Sequence, residues 1–214
     1  DPRFYQTMIR PTRHSSHHHG KRFTYKPRHR YSYPLGFYPD MTVNPLRRHK
    51  KTRTQRLTNS NFQDDMLKLH NNYRARHCAP PLVISQRLNQ IAQSYAEHLA
   101  ATSTFEHSGN KFGDEPLGEN LYMQWISAGR VKASARDAMK SWYDEISMHN
   151  FQRPKFSPKT GHFTQLVWKS SKKLGVGIAY SPNGHEIYMV TNYYPAGNIM
   201  GPGMFEKNVL LPNC

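Results

Sequence analysis

Cysteine is nearly missing from this sequence: Cys78 and Cys214 are the two it has in 214 residues. Two cysteines cannot build a disulfide framework, so a small bridge-held scaffold is excluded and either one bridge or none remains. The N-glycosylation acceptor Asn-x-Ser/Thr never occurs. Both absences favour a reducing, intracellular setting. No apolar run approaches the roughly 18 residues of a membrane span. No signal-peptide core stands near the front, and neither a myristoylation start nor a prenylation box is present. Acidic residues are scarce at one end only. Residues 1–60 hold 14 Lys and Arg against 2 acids, a net +12, whereas residues 61–214 hold 16 against 12, a net +4. The formal charge of +16 is therefore a property of the front quarter, and the rest is an ordinary, mildly basic domain.

The front segment, residues 1–60, interleaves cations with aromatics and prolines. It reads Arg10-Pro11, Arg13-His14, Lys21-Arg22-Phe23, Tyr25-Lys26-Pro27-Arg28-His29-Arg30-Tyr31, then Arg47-Arg48-His49-Lys50-Lys51. Five tyrosines, six prolines and few aliphatic residues cannot enclose a core. The expectation is an extended basic tail that gains shape on an acidic partner. Prolines cut it into short hooks, which suits threading along a protein assembly such as tubulin and its associates in a cilium or sperm flagellum. An anionic membrane is the alternative partner. Nucleic acid, on which Tyr and Phe could stack, ranks lower.

Residues 61–214 read as one domain. Ser60-Asn61-Phe62-Gln63 fits a capping box, predicting a helix from about 61 to 77 that Cys78-Ala79-Pro80-Pro81 ends. Ser85 caps a second helix ending near Thr102, and a third spans about 131–149 with Glu145 beside its apolar stripe. Strands are predicted at His162–Trp168, where polar and apolar residues alternate, at Leu174–Tyr180 and at Glu186–Tyr194, the last two joined by a turn at Ser181-Pro182-Asn183-Gly184. Trp125, Trp142 and Trp168 are expected in the core, and Gly197 in a turn. Helices first and antiparallel strands last make the class α+β, with a sheet between helix layers.

Four segments carry a resemblance. His70-Asn71-x-x-Arg74, Gly118-Glu119-Asn120-Leu121, Gly161-His162-Phe163-Thr164-Gln165-Leu166-Val167-Trp168 and Thr191-Asn192-Tyr193-Tyr194-Pro195-Ala196-Gly197-Asn198-Ile199 resemble, in order, the signatures of the CAP superfamily, the cysteine-rich secretory, antigen 5 and pathogenesis-related 1 proteins. The low cysteine content and the ending Gly203-Met204-Phe205-Glu206 look like its Golgi-associated plant pathogenesis-related type. The resemblance implies an α-β-α sandwich over 61–214 and says nothing of the tail.

It also implies a tetrad of His107, Glu119, Glu145 and His162. Two imidazoles and two carboxylates have three uses. They can hold a zinc or magnesium ion, with the glutamates as ligands or behind the histidines; a carboxylate can act as a base on water; or the four can satisfy one another as a buried network. The network reading leads, no cofactor being required. No His-Glu-x-x-His motif occurs, and Ser108 is merely next to His107. His70, Asn71, Arg74, Asn120, Gln165, Asn192 and Tyr193 are read as packing and hydrogen-bonding residues. The function expected is a non-enzymatic CAP-domain interaction protein tied by its tail to a larger acidic assembly, with peripheral membrane binding and a metal-dependent hydrolase as alternatives.

Overall fold

In the computed structural model the backbone of residues 53–214 and the side chains of 61–214 are described. The expectations placed on the tail, including its partner-binding cations and tyrosines, lie outside the described residues. Helix α1 is Arg53–Ala75, so it runs through the boundary expected at 60/61, and Ser60 is helical rather than a cap. Next come β1 (Val83–Ile84), α2 (Gln86–Thr102), the small hairpin β2 (Lys111–Phe112) and β3 (Glu115–Pro116), and β4 (Gly118–Trp125). Helix α3 (Ala135–Tyr143) tightens into a 3-10 turn at Asp144–Met148, and α4 (Gly161–Val167), β5 (Lys173–Tyr180), β6 (Glu186–Tyr194) and α5 (Met204–Asn208) follow. Among the described residues no helix is long and apolar enough to cross a membrane.

The main sheet has the order β1-β5-β6-β4, with β4, β6 and β5 antiparallel and β1 parallel to β5. Its two faces meet different helix layers, as the α-β-α reading requires. On one side Leu121, Tyr188, Val190 and Ala179 pack with Ala92, Ala96 and Leu99 of α2. On the other, Leu174, Val176, Met189 and Tyr193 share a core with Met66, Met139, Trp142 and Phe163. Helix α2 sits very close to the sheet: a Cβ on Gly175 or Gly177 would lie 2.3 Å from backbone atoms of Leu88 or Ala92. The bare glycines on β5 let the helix settle there.

β1 is two residues long and leaves most of the β5 edge without a strand partner. Side-chain amides take over. Asn89 accepts from Val176 N–H at 2.8 Å, Gln63 donates to Val176 O at 3.1 Å, and Gln93 both accepts from Ile178 N–H and donates to Ile178 O. Three amides on α1 and α2 thus close an edge that would otherwise invite another strand.

Several expectations are corrected. His162–Trp168 is mostly helix α4 and not a strand, for reasons set by its partners and given below. The third helix begins at Ala135, capped by Ser134 Oγ, four residues later than expected. β1 and β4 were unforeseen. Trp142 and Trp168 are buried, but Trp125, at the end of edge strand β4, is 53 % exposed. Gly197 has ordinary φ and serves a close approach instead: a Cβ there would stand 2.6 Å from Gln165 Nε2 and 2.8 Å from the Trp168 ring.

Cys78 and Cys214 form a disulfide, so scarcity of cysteine did not mean reduced thiols. The bridge joins the end of α1 to the chain terminus, where Asn213 N–H also donates to Arg76 O and Leu210 O meets His77 Nδ1 at 2.6 Å. It closes a loop with a sequence separation of 136, nearly the whole domain. Reducing it, or replacing Cys78 by Ser, is expected to lower unfolding free energy by about 2–4 kcal/mol, read from guanidinium titrations with and without reductant; an unchanged midpoint would show the bridge to be idle.

Candidate functional site

Helix α4 is held at both ends by charged side chains from elsewhere. At its start the Glu145 carboxylate, 4 % exposed, accepts from His162 N–H at 3.0 Å and Phe163 N–H at 3.1 Å, and from the His162 ring Nδ1 at 2.7 Å. An anion there answers the unpaired N–H groups and the positive end of the helix. At the far end Arg74, fully buried, donates Nη1 to Leu166 O and Trp168 O, Nη2 to Ser171 O and Nε to Pro80 O, all within 3.0 Å. Burial lowers its pKa to about 10, so the guanidinium remains charged at neutral pH and complements the helix C-terminus. Inside the helix Phe163, Leu166 and Val167 form an i, i+3, i+4 stripe, all buried. That stripe was legible beside the alternation; the charged side chains that bond its backbone ends were not.

The second pair comes from the opposite side of the sheet. Glu119 opposes Asn192 across β4 and β6, on the face that meets α2, while Asn120, one residue on, points to the α4 side. The Glu119 carboxylate accepts from His107 Nδ1 at 2.8 Å, from Ser108 N–H and Oγ at 2.9 and 2.6 Å, and from Asn192 Nδ2 at 3.2 Å. Ser108, read as merely adjacent to His107, therefore serves the carboxylate. The missed signal was that a short hydroxyl beside a histidine can share its acceptor.

Both pairs open on one cleft of about 720 Å³ at the Gly118 end of β4, lined by His107, Glu119, Asn120, His162, Gln165 and an apolar set including Leu117, Phe156, Ile199 and Met200. Gly118 lies so close to Gln165 that a Cβ would overlap its amide oxygen. Asn198, part of the fourth motif segment though given no role there, closes one wall by donating to Gly161 O and accepting from Thr164 Oγ1.

The remaining motif residues support the cleft from behind. His70, Tyr193, Asn120 and Thr191 form a chain in which His70 Nδ1 donates to Met66 O, Tyr193 OH donates to His70 Nε2, and Asn120 Nδ2 donates to Tyr193 OH and to His162 O. Trp142 stacks on His162 at 6.2 Å and donates Nε1 to Leu121 O on the β4 edge. Asn71 pairs both ways with the Leu82 backbone, fixing the turn after α1. Glu145, though one of the tetrad, stands behind His162 and does not line the cleft. Among the described residues no group of three or more His, Cys, Asp or Glu is placed to hold a metal ion. The glutamates are occupied by protein donors, which leaves two imidazoles as candidate ligands. Because Nδ1 of each faces its carboxylate, the nitrogen directed to a ligand is Nε2.

Burial pushes the His70 pKa down to about 4, and burial also lowers His77 and His149. A histidine depressed in the folded state binds no proton there while the unfolded chain does, so stability falls as pH drops below about 6.5 and levels off near 4. His70 alone should remove on the order of 3 kcal/mol across that window. Denaturant midpoints measured from pH 7.5 to 4 in His70→Gln and the parent check this: the variant should show a shallower loss.

A family model for CAP, the cysteine-rich secretory protein family, matches residues 67–193. Among curated proteins the chain is 44% identical over 151 residues to Golgi-associated plant pathogenesis-related protein 1 of Homo sapiens, covering 71% of this chain and 94% of that one. It is 34% identical over 150 residues to Protein PRY2 of Saccharomyces cerevisiae, covering 70% of this chain and 41% of that one. Among solved structures it resembles NaASP2 with Zn2+, with a TM-score of 0.52 at 25% identity, covering 67% of this chain and 84% of that one.

Proposed function

Because the chain belongs to the CAP family of cysteine-rich secretory proteins, we propose that it is a non-enzymatic binding module, held at an anionic membrane surface by its basic front segment. The observation that carries this is the charge division: +12 in residues 1–60 against +4 in the rest. Each Lys or Arg near an anionic leaflet contributes about 1 kcal/mol. The relative at 44% identity is named for the Golgi, which supports a Golgi or other membrane surface as the location. Against catalysis stands the use of both carboxylates by protein donors, with Glu145 also set back from the cleft. A general base needs a lone pair turned to water, and Glu119 and Glu145 accept from four and three protein donors.

Vesicle flotation tests the membrane reading. The full chain should float with phosphatidylserine vesicles and not with neutral ones, and changing Lys21, Arg22, Lys26 and Arg28 to Ser should weaken partitioning at least a hundredfold. Absence of flotation by the parent chain, with pelleting on microtubules instead, would return the tail to an acidic protein assembly such as tubulin.

A second reading of the cleft is a divalent cation on His107 and His162. Two imidazoles oriented by carboxylates suit an open site completed by water or by oxygens of a ligand, not a closed four-ligand structural site. The crystal structure of NaASP2 is one with Zn2+, which supports zinc as the ion to try. Zinc titration by calorimetry should show one site, weakened tenfold or more in His162→Gln; equal binding by parent and variant would remove it.

A further inference from the structure

As far as Val209 the chain is anchored without covalent help. Asn208 accepts from Lys169 N–H through its backbone oxygen and from Ser170 N–H through Oδ1, and donates Nδ2 to Met204 O. Phe205 meets the Trp168 ring edge-on at 5.0 Å, and Val209 is buried. Beyond Val209 the character changes. Residues 211–214 are all exposed, and among the described residues two N–H hydrogen bonds tie the strap 210–214 to the domain: His77 Nδ1 to Leu210 O and Asn213 N–H to Arg76 O. The third tie is the bridge from Cys214 to Cys78, itself an exposed residue.

A disulfide shut inside a core is shielded from thiols, whereas one at the surface can be attacked while the fold stands. Because both half-cystines are exposed, a reductant reaches this bridge without unfolding the domain. What the strap covers is His77. That ring is fully buried and shared among several parts of the fold: Leu210 O lies on Nδ1, Tyr143 OH donates to Nε2 at 3.0 Å, and Phe151 and Phe163 pack on it at 6.4 and 5.4 Å. Phe163 follows His162 in α4, so a departing strap would turn Nδ1 to water and loosen a ring packed behind that helix.

We infer that the Cys78–Cys214 bridge is a reversible thiol–disulfide exchange site for a dithiol reductant, and that its reduction detaches residues 210–214 from His77 while the rest of the domain stays folded. The exchange runs in two attacks. A thiolate of the reductant attacks one bridge sulfur to form a mixed disulfide, and the other bridge sulfur leaves as a thiolate that takes up a proton. The second thiolate of the reductant then attacks its own sulfur in the mixed disulfide, closing the reductant's disulfide and releasing the remaining cysteine, which is protonated in turn. Two electrons pass from the dithiol to the bridge. The site involves neither the cleft nor residues 1–60, so it is independent of the membrane and cation readings.

The test treats the full chain with dithiothreitol in native buffer and counts thiols by alkylation and mass. Reduction should proceed within about tenfold of its rate in guanidinium chloride, because no unfolding precedes attack. Amide exchange read by NMR should then show Asn213 N–H exchanging at least about tenfold faster after reduction, with the β6 amides still protected and with glutathione disulfide restoring the original pattern. Cys214→Ser should exchange at Asn213 like the reduced parent and ignore the reductant. Native reduction roughly a thousandfold slower than in guanidinium chloride would mean a bridge reached only through unfolding, and would overturn the proposal. So would unchanged exchange at Asn213 in the reduced chain or in Cys214→Ser, failure of glutathione disulfide to restore protection, or loss of β6 protection together with the strap, the mark of a staple for the whole domain.

Discussion

The architecture turns on a seven-residue helix that its own length could not stabilise. α4 has too few hydrogen bonds to persist alone. It is fixed because Glu145 supplies a carboxylate at its N-terminus and Arg74 a guanidinium at its C-terminus, each buried and each matched to the sign of the helix end it meets. The Arg74 fork also holds Pro80 O and Ser171 O, so a single side chain gathers the turn after α1, the end of α4 and the approach to β5. Truncating Glu145 would leave the N–H groups of His162 and Phe163 unanswered, and truncating Arg74 would do the same to the carbonyls of Pro80, Leu166, Trp168 and Ser171.

That clamp explains the position of His162. The Glu145 carboxylate caps the helix with Oε2 and holds the imidazole with Oε1, and Trp142 covers the ring, so the side chain has one orientation. His107 is oriented by the same device built from other parts: a carboxylate on the opposite face of the sheet, itself held by Ser108 and Asn192. The two pairs meet only because β4 is an edge strand and Gly118 lets Gln165 pack against its start. A cleft that straddles a sheet edge can draw on both helix layers, which a site on one face could not. Both carboxylates orient a ring, and Glu145 also anchors a helix.

Much of the domain could be read from the chain itself. The apolar stripes of α1, α2 and α3, the Ser85 cap, and the β5–β6 hairpin with its Asn183-Gly184 turn are local signals, written in the spacing of neighbouring residues. The resemblance that the four motif segments carry likewise implied the tetrad, although only Glu119 and His162 of it lie within those segments. Glu145 could be placed beside a buried stripe, though not beneath the N–H groups of His162 and Phe163.

What the sequence determined alone was therefore composition, charge division, most helices, the last hairpin and the identity of the polar residues needing partners. The tertiary structure decided the state of residues 161–168, the pairing of β4 with β6, the bridge between Cys78 and Cys214, and the split of the tetrad into two His–Glu pairs. These are all long-range outcomes. A short segment compatible with both helical and strand periods takes whichever form the distant carboxylate and guanidinium can cap, and that choice is an energy between residues far apart in the chain.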